Sequence, residues 1–138
     1  MNNELFSILI DAAKNNYQSF MHNVWTALGS AMVAIGWILT SEAAREFICN
    51  HSPLKWILIG IISVFIIVHV AVIRWHKRKS EQLLHMLSSM EFVKSNKIEQ
   101  GHLEIYCIPK YWIYVTSLMN TALLLVLMYL IFEIDIIT

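Results

Sequence analysis

Four side chains in the last apolar run carry the first chemical suggestion: Thr116, Ser117, Asn120 and Thr121. Thr116 and Asn120 are four apart, as are Ser117 and Thr121, so each pair shares one helical face. Hydroxyls and amides in that arrangement suit two tasks. They can bond neighbouring helices together in lipid, or they can line a pore that passes ions with little selectivity. A single protomer with three spans encloses no aqueous path, so a pore requires a ring of copies.

The second chemical group is basic. Arg74, His76, Lys77, Arg78 and Lys79 follow one another closely, and Lys94, Lys97 and His102 lie downstream. Such a cluster sets membrane topology, attracts anionic lipid, or binds an anionic nucleotide, with Trp75 or Tyr106 available to stack on a base. Nothing in the pattern suits duplex nucleic acid. Catalysis has no visible basis. His69 and Ser63 are six apart and form no nucleophile constellation, and no GxSxG, HExxH or phosphate-loop pattern occurs. The chain is therefore read as a non-enzyme without a cofactor. Cys49 and His51 are too few for a structural metal site, so no metal is expected.

These groups must be positioned by apolar elements. Residues 23–41, 55–74 and 111–132 are long enough to cross a hydrocarbon core about 30 Å thick. All five tryptophans (Trp25, Trp37, Trp56, Trp75 and Trp112) stand at the edges of these runs, where an indole keeps its body in lipid and its N–H at the headgroups. At 57% hydrophobic and 14% charged, the chain has too little polar surface to coat a soluble globule. No Asp, Glu, Lys or Arg lies within the apolar stretches 24–40, 56–73 and 112–132, which argues against a proton-driven carrier.

The runs differ. The first carries Ala27, Gly29, Ser30, Ala31 and Ala34, small residues that let helix backbones approach, and it is assigned to self-association. Seven of the ten Lys and Arg residues fall in the span from Arg74 to Lys110. By the positive-inside rule, residues 75–110 are cytoplasmic, the N-terminus is cytoplasmic, and residues 133–138 form an outer tail. The outer loop is 42–54, so Cys49 and Cys107 are on opposite faces and cannot pair. The opening residues lack the basic start of a cleaved signal peptide.

Residues 1–22 repeat Leu5, Ile8, Leu9, Ala12 and Phe20 at helical spacing, predicting an amphipathic helix on the membrane surface. Leu83, Leu84, Leu87 and Met90 form a second stripe, and alternation over 102–108 predicts a short strand. A segment under forty residues cannot bury a core alone, so it is expected to pair with copies of itself. The expected fold class is an all-α membrane protein: three transmembrane helices, an N-terminal amphipathic helix, and a small cytoplasmic helix-plus-strand segment.

The N-terminal amphipathic helix, the three spans, Arg74–Lys79 and the compact 80–110 segment together resemble the small membrane effectors of bacterial anti-phage systems, of the Hailong, CBASS or type III CRISPR-associated kind. That resemblance implies a homo-oligomeric channel or membrane-disrupting effector in the bacterial inner membrane, gated by a nucleotide or oligonucleotide. Two alternatives stand beside it. One is a holin-like pore former, which the acidic outer tail disfavours. The other is an accessory or scaffold subunit without conductance.

Overall fold

The computed structural model describes residues 2–95, 98 and 100–134. Every element among them is helical: α1 Asn2–Thr40, α2 Glu42–Asn50, α3 Ser52–Ser89, α4 Glu91–Ser95, α5 Gln100–Glu104 and α6 Lys110–Phe132. Three of them, α1, α3 and α6, are long and apolar enough to cross a membrane. Only 17% of the most apolar stretch of α3 is buried inside the chain, so most of that surface needs lipid or another protein to cover it. The chain is a multi-pass membrane protein.

The buried positions explain why these helices associate. On α3 they fall at Ile62, His69, His76 and Leu83, and again at Ile73, Ser80 and Leu87. On α6 they fall at Ile113, Asn120 and Leu127, with Ile134 just past its end, and on α1 at Ala13, Phe20 and Ala27 with Val24, Ala31 and Ile38. Each series repeats every seven residues, the period that keeps one seam of a helix facing its partners. Polar residues occupy several of these seam positions, which is unusual and bears on function.

The helices contribute to two compact units. The first comprises Met1–Asn23 and Val72–Thr116. Its core joins Ile10 with Leu87, Val93 and Leu103, and Ala13 with Leu83 and Cys107. Of the N-terminal stripe, Leu9 and Ala12 thus pack in the core with α3 and the 93–107 segment and Phe20 is buried, while Leu5 and Ile8 stay exposed. The 80–110 segment likewise packs within its own chain, against the N-terminal residues.

The expected strand over 102–108 is absent. Residues Gln100–Glu104 form α5, and the following residues turn, with the Tyr106 N–H bonding Leu103 O at 3.2 Å and the Cys107 N–H bonding Glu104 O at 3.0 Å. The reason is local. A lone strand would leave both edges of backbone groups unpaired, whereas a helical turn satisfies them in place and still buries Leu103 and Cys107.

The second unit comprises Val24–Ala71 and Ser117–Thr138. Its core gathers Ala31, Ile38, Ile48, Ile62, Leu124, Leu127, Ile131 and Ile134. The stretch expected as an outer loop holds α2, capped by Ser41, whose hydroxyl accepts from the Ala44 N–H at 3.2 Å. Arg45 reaches back to the ends of α1, donating to Ile38 O at 3.2 Å and Leu39 O at 2.9 Å. That basic side chain therefore satisfies carbonyls a helix terminus leaves open.

Candidate functional site

Two polar groups lie in the apolar core of the second unit with atoms left unbonded. Asn120 is 1% exposed, and neither its amide nitrogen nor its amide oxygen has a partner; the His69 Nε2 is likewise buried and unbonded. In the same unit, Lys55 lies over the Phe132 ring and Ser63 Oγ contacts Met128 Sδ at 4.0 Å, so α3 and α6 run antiparallel there. His69 is six residues beyond Ser63 and Asn120 is eight before Met128, which places the two within about 3 Å of the same level. A bare amide in hydrocarbon costs several kcal/mol, roughly, unless water or another group reaches it.

The other members of the predicted polar face divide between buried and half-buried positions. Thr116 is buried in the first unit and satisfied within its own helix, its hydroxyl donating to Trp112 O at 2.6 Å. Ser117 and Thr121 are half-buried. A path that used Asn120 would run through the interior of the second unit and not along the outer surface of a helix.

The basic cluster also divides. Arg74 and Arg78 are exposed, and Lys79 lies over the Trp75 ring at 5.0 Å. Lys94 is exposed on α4, and Lys97 lies outside the described residues. His76 turns inward. It is 1% exposed and bonded at both nitrogens, Nδ1 to Asn16 Oδ1 at 2.9 Å and Nε2 to Asn23 Nδ2 at 3.1 Å. Asn16 Nδ2 also donates to His76 O at 3.3 Å, and Phe20 meets the ring edge-on. An amide oxygen only accepts and an amide nitrogen only donates, so this arrangement fits the neutral imidazole with its proton on Nδ1. Beyond the apolar stretch of α3, burial first and the nearby Lys79 charge second hold His76 below the ordinary histidine range. It is a structural lock, not a ligand donor.

The first unit holds a cavity of about 560 Å³, lined at one side by Lys77, Ser80, Glu81 and Leu84 of α3 and at the other by Gly101, Glu104, Ile105, residues 107–111 and Ile113. Its size falls in the range of small-molecule sites. Lys77 is fixed at its edge, donating to the Tyr114 hydroxyl at 3.2 Å and lying over that ring. Ser80 accepts from the Ile108 N–H at 3.1 Å, tying the far wall to α3. Cys107 lines the cavity too, and burial pushes its thiol up despite a bond from Ser80, with Glu104 adding in the same direction. Of the predicted ligand residues that are described, only Lys77 reaches this cavity.

Sequence reasoning missed Asn16, Asn23, Ser80, Glu81, Glu104 and Lys110. Asn16 and Ser80 could have been found, since each continues a buried seam between apolar neighbours (Ala13 and Phe20; Ile73 and Leu87). The small residues of α1 split as well. Ala27 and Ala31 are buried within the chain and Ala34 is half-buried, while Gly29 and Ser30 are exposed along an open groove with Val33 and Trp37. A Cβ at Gly29 or Gly36 would meet nothing. Among the described residues no group of three or more His, Cys, Asp or Glu is placed to hold a metal. No known protein family matches the chain, nor does any curated protein or solved structure.

Proposed function

We propose that the protein is an oligomeric membrane channel or membrane-disrupting effector, whose interior hydrates around His69 and Asn120 when it opens. The observation that carries this reading is the pair of unbonded polar side chains at one level of an otherwise apolar spanning core. Such groups are costly in a permanently dry helix bundle and find their partners when water enters. The half-buried Ser117 and Thr121 extend the same helix's polar character, although Thr116 is already satisfied.

In this reading the basic stretch faces the cytoplasm, and the membrane is a bacterial inner membrane. Arg74 and Arg78 are open to an anionic ligand, a nucleotide or oligonucleotide as in the anti-phage effectors that the architecture resembles. The open face of Gly29, Ser30 and Val33 supplies the contact between copies. That same face favours a second reading, an accessory subunit that docks on a larger membrane complex without conducting.

The test is ion flux from liposomes containing the purified chain, with and without nucleotides. The channel reading expects flux above that of protein-free vesicles. No flux under any condition, together with a stable complex with another membrane protein, would favour the accessory subunit.

A further inference from the structure

The cavity of the first unit offers chemistry that the channel reading does not use. Its charged lining is Lys77 and Lys110 against Glu81 and Glu104, two cations and two anions. A nucleotide or other polyanion would gain the lysines and meet both carboxylates, so its extra charges would go unpaired. The lining instead matches a molecule that carries one phosphate and one ammonium.

Two further features say where that molecule comes from. Lys77 follows Ile73, the last residue of the apolar run of α3, by one helical turn, about 6 Å along the axis. Trp75 and Trp112 flank the same level, and Tyr111 and Ile105 on the cavity wall are 64% and 76% exposed. Aromatic and aliphatic side chains exposed beside a bilayer-spanning segment belong at the lipid interface. Leu84, Ile108, Pro109 and Ile113 give the wall an apolar part that suits the glycerol end of a lipid.

We propose that this cavity binds the headgroup of a zwitterionic aminophospholipid, a phosphate ester bearing a primary ammonium, supplied by the bilayer. Lys77 and Lys110 take the phosphate. The N–H groups opening α6 assist, because Pro109 ahead of them has no side-chain oxygen to cap the helix. Glu81 and Glu104 take the ammonium, which offers them donors that a quaternary ammonium lacks. The proposal rests on the membrane reading of the three spans and not on conductance.

The test is lipid retention by the full chain in mild detergent, read by native mass spectrometry with added dioleoyl phosphatidylethanolamine, phosphatidylcholine or phosphatidylglycerol. Phosphatidylethanolamine is expected to be retained about fivefold better than the other two. The double variant Glu81→Gln, Glu104→Gln, at two exposed positions, should erase the preference over phosphatidylcholine while leaving helicity unchanged. Equal retention of all three lipids would overturn the proposal, as would a preference that survives the double variant. Displacement by an equal concentration of free phosphoethanolamine would overturn the bilayer as the source. Displacement by ATP, with no effect of the carboxylate variants, would assign the cavity to a polyanion instead. Because the readout is binding, it stands or falls independently of any flux result.

Discussion

Replacing Asn120 with leucine tests what the bare amide costs. Asn120 is 1% exposed, and both its amide atoms lack partners. An unsatisfied buried polar group costs about 1–3 kcal/mol, and leucine fills nearly the same volume without it. Part of that gain is returned, because a helix dispersed in lipid also carries the uncompensated amide, and polar contacts between membrane helices average only about 0.6 kcal/mol. Asn120→Leu should therefore stabilise the described state by about 1 kcal/mol, read as a higher midpoint in detergent-induced unfolding. The same substitution removes the group that water would solvate on opening, so flux should fall by about tenfold. A loss of more than about 1 kcal/mol would refute the reasoning, since it would mean that Asn120 already has a partner worth keeping.

Four further outcomes follow from the first unit and from α2. Below its usual value of about 6.5, the neutral His76 binds fewer protons in the folded chain than in the unfolded one. Its share of stability is thus present above that pH and lost as the pH falls through the lowered folded value. The thermal unfolding midpoint should fall toward acid, and His76→Gln should flatten that dependence; an unchanged slope would remove His76 from the account. His76→Leu should cost about 2–4 kcal/mol at neutral pH, because it strands the amides of Asn16 and Asn23. Alkylation of Cys107 in the folded chain should run at least about tenfold slower than in the unfolded chain, since burial disfavours the thiolate. Ser41→Ala should destabilise α2 by about 1 kcal/mol, seen as faster hydrogen exchange at Ala44.

The spans were legible because hydrocarbon selects for uninterrupted apolar length, and the tryptophans marked their ends. The seams were legible too, although less obviously: Ile62, His69, His76 and Leu83 are seven apart, as are Ile113, Asn120, Leu127 and Ile134. Reading those positions as one face would have placed His76 inside and separated it from Arg74 and Arg78. Its membership of a basic run concealed this, because charge counts along the chain ignore which way a helix turns each side chain. The strand expected at 102–108 failed for a related reason. Alternation over a few residues is also compatible with a short helix followed by a turn, which buries Leu103, Cys107 and Ile108 and leaves Ile105 exposed. The cavity was not legible, since Lys77 and Glu81 meet Glu104 and Lys110 only through the packing of α3 against the 104–113 segment.

The most direct test of the central claim is the water accessibility of position 120. Asn120→Cys and Leu118→Cys would each be placed in a background with Cys49 and Cys107 replaced by serine. Both would be reconstituted in liposomes and exposed to a charged, membrane-impermeant thiol reagent. Leu118 is 73% exposed on the outer surface of α6, where lipid covers it, whereas position 120 faces the core. A hydrated interior predicts that the cysteine at 120 reacts at least about tenfold faster than the one at 118, and only under conditions that give flux. Flux without any reaction at position 120 would contradict the account and place the conducting path elsewhere.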